Sequence, residues 1–179
     1  AILTNKSYTI FFKIKFMRII TVLFISIFFL SCKTLDYTSQ HFIEKEFELF
    51  KVNDSKGILV LFPCFPCDAE NTKQEFPIIE TANKQGVSVL LMNYNQKLYL
   101  KNTELKELTN SLNSIFDTYK LNQNNIFIGG FSGGGNVTLL LSNYLIKSDN
   151  KFVPKGVFIV DSPIDLLALY RVANKNIKK

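Results

Sequence analysis

Histidine is almost missing from this chain of 179 residues: His41 is the only one. A tetrahedral zinc site needs four ligands, and one histidine with a close pair of cysteines cannot close it, so neither a metal nor a cofactor is expected. Acidic residues are absent from residues 1–35, which carry Lys6, Lys13, Lys15, Arg18 and Lys33, and from residues 171–179, which carry Arg171, Lys175, Lys178 and Lys179. Setting those nine aside leaves 12 basic residues against all 15 acidic ones, so the middle of the chain stands at about −3. The net charge of +6 therefore belongs to the ends and not to a binding face. Stripes of Lys and Arg interleaved with aromatics are lacking too, which excludes a nucleic-acid partner. There is no internal repeat and no low-complexity tract. With 47% hydrophobic residues, the chain has material for one ordinary core, which argues against disorder.

Long apolar runs are also scarce. Met17-Arg18 leads into the uncharged stretch Ile19 to Leu30, followed by Ser31-Cys32-Lys33. That stretch is too short to span a bilayer as a helix and suits a secretory signal. Its ending, Phe29-Leu30-Ser31-Cys32, resembles the lipobox of bacterial lipoproteins, with Phe29 where Leu is usual. The resemblance implies cleavage before Cys32, a lipid on Cys32 and a membrane-anchored protein of the bacterial cell envelope. Residues 1–32 are thus read as an upstream segment and signal, residues 33–45 as a polar tether without a period, and residues 46–179 as the domain. A membrane-spanning helix over residues 8–31 is the competing reading.

Within the domain the period of the pattern changes along the chain. Glu46 to Val52 and Ile58 to Phe62 read as strands joined by Asn53-Asp54-Ser55-Lys56-Gly57, a hairpin-type connection. Residues 68–84 read as helix interrupted near Pro77, and Val87 to Met92 as a buried strand. Leu105, Leu108, Leu112, Ile115, Phe116 and Tyr119 fall at helical spacing, and Gly156 to Val160 reads as a further buried strand. Strands alternating with helices predict an α/β domain with a mostly parallel sheet and flanking helices.

Gly130-Phe131-Ser132-Gly133-Gly134 has the Gly-x-Ser-x-Gly form of a nucleophile elbow. The apolar run Asn125 to Ile128 precedes it, and Val137, Leu140, Leu141, Tyr144 and Leu145 follow at helical spacing, with an end expected near residues 147–150. At a strand-to-helix turn the serine hydroxyl is held clear of the sheet, and flanking glycines are needed where a Cβ would strike backbone. The order of parts over residues 46–170 resembles the front half of an α/β-hydrolase, C-terminally truncated. The resemblance implies a serine hydrolase of small acyl or ester substrates, with Ser132 as nucleophile and the Gly133 N–H as one oxyanion donor. Pro63-Cys64-Phe65-Pro66 falls where that family often has His-Gly-aromatic-Pro, which makes Phe65 the second donor. The prolines have no N–H, so this turn can donate only from Cys64 and Phe65.

The family's order of partners is Ser, then Asp or Glu, then His, and no histidine follows Ser132 here. The triad is therefore expected to be incomplete and the chain inactive. His41 reads as a solvated tether residue. Asp161 and Asp165 are weak candidates for the triad acid, with a helix N-cap or turn carboxylate the competing role. Cys64-Phe65-Pro66-Cys67 supports other readings: a thioredoxin-like oxidoreductase using Cys64 and Cys67, although no Trp precedes the first cysteine, a small structural disulfide, or two thiols lining the loop. A hydrolase scaffold that binds without cleaving is the remaining alternative.

Overall fold

Gly57–Phe62 is apolar at every position after its glycine and buried throughout, as a strand covered on both faces must be. In the computed structural model, which describes residues 38–93 and 97–177, it is β3 of a six-stranded sheet. Before it run β1 (Ser39–Ile43) and β2 (Phe47–Val52), and after it β4 (Val87–Met92), β5 (Ile126–Phe131) and β6 (Gly156–Val160). The helices are α1 (Ala69–Glu75), α2 (Ile79–Lys84), α3 (Asn102–Tyr119), α4 (Gly133–Lys147) and α5 (Leu166–Ile177). The predicted break at Pro77 separates α1 from α2. The start of α1 is fixed by a capping box between Asp68 and Asn71.

The strand order is β1-β2-β4-β3-β5-β6, with β4, β3, β5 and β6 parallel and β1 and β2 antiparallel at one edge. This corrects the expected hairpin. β2 and β3 are consecutive but not neighbours, because β4 returns between them and pairs with both. The Val52 N–H donates to Ser88 Oγ of β4 at 3.0 Å, which ties the end of β2 to its true neighbour. Turn residues at 53–57 predict only that the chain reverses; which strand it then pairs with is set by the crossover through α1 and α2. The hairpin of this sheet is β1–β2, closed by the Glu44 N–H donating to the Phe47 carbonyl at 2.9 Å.

Alternation along the strands splits the core between the two faces. Ile58, Val60 and Phe62 join Leu90 and Ile128 beneath α3 and α4, where Leu112, Phe116, Val137 and Leu141 cover them. Leu59, Leu61, Val89 and Leu91 face the other way, beneath Ala69 of α1 and Ala82 of α2. Full burial of one such Leu or Ile stabilises by about 1.5–3 kcal/mol.

β1 lies inside residues 33–45, so the tether reading fails at residues 39–43; alternating polar residues on an edge strand carry little apolar signal. His41 is exposed as expected, but it lies on β1 rather than in a linker. It stacks on Phe50 with ring centroids 4.2 Å apart, and its Nε2 lies 2.6 Å from Oε1 of Glu48, a carboxylate only 6% exposed. Lys73 of α1 reaches the same oxygen at 3.0 Å. Its ammonium is held above the usual lysine range, first by Glu70 and then by Glu48. A buried carboxylate without partners would be costly, and these two groups supply them.

The opposite edge is apolar and open: Val157 and Val160 of β6 are 40% and 45% exposed. Exposed edges of this kind pair with other chains. A Val157→Lys substitution is therefore expected to raise the monomer fraction of the 179-residue chain in gel filtration while shifting stability by no more than about 0.5 kcal/mol. An unchanged elution profile would count against the edge as the sticky surface. Among the described residues, no helix is long and apolar enough to cross a membrane. Residues 1–32, with Cys32, lie outside the described residues.

Candidate active site

Ser132 follows the last residue of β5 and precedes the first of α4, with φ 47° and ψ −117°. Left-handed φ at a residue with a side chain is strained, of order 1–3 kcal/mol, and persists only where the surroundings enforce it. Here the enforcement is visible. The Ser132 N–H donates to the Val160 carbonyl of β6 at 2.9 Å, and its own carbonyl accepts from the Gly135 N–H at 3.1 Å. The Oγ makes no helix-capping bond.

The glycines of the motif are there because space is absent. A Cβ on Gly130 would fall 2.5 Å from Thr138 Oγ1, and one on Gly134 would fall 2.5 Å from the Phe62 carbonyl oxygen. The start of α4 is thus pressed against the end of β3. A Cβ on Gly133 would lie 3.0 Å from Phe65 Cβ and 3.5 Å from the Phe65 backbone nitrogen. Gly133 and Phe65, the two expected oxyanion donors, are therefore neighbours across 68 positions of sequence.

Phe65 sits in the turn that leaves β3. Cys64 and Cys67 are joined by a disulfide, and the Cys67 N–H donates to the Cys64 carbonyl at 2.9 Å. The disulfide removes the reading of two free thiols and is common to the other two readings of this pair. Beside it, on the face covered by α1, lies a cleft of about 200 Å³ lined by Cys64, Thr72, Glu75, Phe76, Phe131 and Val160.

The acids and the histidine are placed differently. Asp165 caps α5, its Oδ1 accepting from the Ala168 N–H at 2.9 Å. Asp161 directly follows the residue that holds the Ser132 N–H, is exposed, and has φ 50°. His41 is on β1, four strand steps from β5 in the order β1-β2-β4-β3-β5. At about 4.8 Å per step that is roughly 19 Å, beyond reach of Ser132. Two features escaped sequence reasoning: the Val160 carbonyl that pins the elbow, and Leu98, whose Cδ2 would be 2.7 Å from a Cβ on Gly133. Both contacts join distant positions and leave no local signature. Among the described residues, no cluster of His, Cys, Asp and Glu is arranged to hold a metal ion.

The sheet order, the glycine-flanked serine on the β5–α4 turn and the Gly133 and Phe65 backbones beside it define an α/β-hydrolase fold. Solved structures agree. The chain is similar to vibralactone cyclase, with TM-score 0.54 and 16% identity over 77% of this chain and 46% of that one. It is similar to a tributyrin-phosphonate-inhibited esterase B from Lactobacillus rhamnosis, with TM-score 0.55 and 13% identity over 93% of this chain and 63% of that one. A bacterial heroin esterase gives TM-score 0.50 and 16% identity over 83% and 51%. The chain spans about half to two thirds of the length of these proteins. No protein-family model matches the sequence, and no curated protein matches it.

Proposed function

We propose that residues 38–177 carry the nucleophile half of a serine hydrolase acting on small acyl esters. The observation that carries this is the Ser132 backbone, with φ 47° on a strand-to-helix turn, next to the paired Gly133 and Phe65 backbones. In this reading Ser132 Oγ attacks the ester carbonyl carbon, and its proton passes to a base. The carbonyl oxygen becomes an oxyanion facing the Gly133 and Phe65 N–H groups, and the alcohol leaves as the carbonyl re-forms. Water then hydrolyses the acyl-serine. The esterase neighbours support the substrate class. Since His41 is roughly 19 Å away across the sheet, it is not the base in this reading.

The test is covalent capture. With imidazole added as an external base, a fluorophosphonate should label Ser132, and Ser132→Ala should remove the label. No capture, together with retained binding of an ester analogue, would favour a scaffold that binds without cleaving.

The N-terminal sequence adds a proposal about location: export and anchoring in the bacterial cell envelope through a lipid on Cys32. Its support is the short apolar run that ends at Ser31-Cys32. In a bacterial host, Cys32→Ala is expected to leave an uncleaved precursor that incorporates no radiolabelled fatty acid. Equal labelling of the variant would remove the lipoprotein reading.

A further inference from the structure

We infer that α5 is a membrane-surface helix, which lies along an anionic lipid bilayer with its apolar face in the lipid and its basic face toward the phosphates. Every residue from Leu167 to Asn176 is exposed, so the described residues cover neither face of this helix. A helix of 12 residues is marginal in water unless something packs on it. Its apolar residues are not scattered. Leu166, Leu169, Tyr170 and Ala173 recur at the i, i+3, i+4, i+7 spacing and form one stripe, with Leu169 44% and Tyr170 64% exposed. At about 100° per residue, Arg171 and Lys175 fall on the opposite face. The structure thus gives two of the basic residues that the sequence keeps at its ends a face of their own. No acid follows Asp165, and Lys178 and Lys179 come next in the sequence. Asp165 itself is engaged in capping the Ala168 N–H at the start of the helix.

Charge and size choose the partner. The stripe can enter the boundary between head groups and acyl chains while Arg171 and Lys175 lay their stems along the surface and bring their charges to the phosphates. Each Lys or Arg held near an anionic surface is worth roughly fivefold in affinity. α5 is too short to cross a bilayer, so it can only lie along one. A second copy of the chain is the poorer fit. The part-exposed stripe offers on the order of 300 Å², well under the ~800 Å² per partner that a stable dimer buries.

The chain has no tryptophan, so Tyr170→Trp places a single fluorescent reporter on the stripe of the full 179-residue chain. It is mixed with vesicles of phosphatidylcholine alone, or of phosphatidylcholine with an equal part of phosphatidylglycerol. On the anionic vesicles the emission should shift to the blue and be quenched by brominated acyl chains, and exchange of the amides of residues 167–176 should slow at least ~10-fold. Both readouts are local to α5, so attachment through the apolar run Ile19 to Leu30 does not register. Arg171→Glu/Lys175→Glu should lose both effects, with the β3 and β5 amides as protected as before. Absence of shift and protection on anionic vesicles, equal effects on phosphatidylcholine alone, or equal protection by soluble polyphosphate overturns the inference. So does lipid-free protection of α5 that rises with protein concentration, which would assign the face to a second copy. Lipid-free protection in a version carrying any sequence encoded beyond Lys179 would assign it to that sequence and overturn the inference equally.

Discussion

Supplying a complete base to Ser132 is expected to raise hydrolysis of short aryl esters by on the order of 10⁴–10⁶ over the 179-residue chain, because that is the usual cost of a triad lacking one member. The residual rate of such a site comes from binding and oxyanion stabilisation, which the Gly133–Phe65 pair would provide without a histidine. The measurement compares turnover of the 179-residue chain with that of a version carrying any sequence encoded beyond Lys179, each with and without Ser132→Ala. The gain should disappear in the variant. Should the 179-residue chain already turn over at enzyme-like rates, a base has been overlooked.

Alanine at Gly134 is expected to destabilise the fold by about 3 kcal/mol or more, near the upper end for overpacking, while alanine at Gly133 should cost about 1 kcal/mol or less. The difference lies in what each methyl meets. At Gly134 it meets backbone, the Phe62 carbonyl carbon at 2.8 Å and its oxygen at 2.5 Å, and both belong to a central strand that cannot yield. At Gly133 the nearest atom is the end of the Leu98 side chain, which can rotate, and the helix propensity of alanine offsets part of the cost. Gly133→Ala should nevertheless slow labelling of Ser132, since its methyl crowds Phe65. Denaturant melts of the two variants, read beside their labelling rates, test this. Equal melting midpoints would mean that α4 and β3 can move apart.

Elements with a strong period were legible in the sequence. Val87–Met92 and Gly156–Val160 occur with the expected bounds, although Gly156–Val160, expected to be buried, is a partly exposed edge strand, and α3 and α4 follow the apolar spacing. The elbow was legible because glycine spacing, strand and helix all point to one turn, so local and global preferences agree. Pairing was not. That β4 would separate β2 from β3 depends on the crossover, and that polar Ser39–Ile43 would become a strand depends on having β2 beside it. The fate of His41 was hidden for the same reason: its partners, Glu48, Phe50 and Lys73, come from a neighbouring strand and a helix.

The bond from the Ser132 N–H to the Val160 carbonyl also bears on when the site forms during synthesis. Translation proceeds at about 5–20 residues per second, so Val160 is made on the order of seconds after Ser132. Until β6 emerges and pairs with β5, the serine lacks one of the two backbone bonds that hold its left-handed conformation. A nascent chain stalled short of β6 would therefore carry Ser132 with its N–H unpartnered by Val160. On the proposed function, the site would gain its full backbone support only once β6 has left the ribosome.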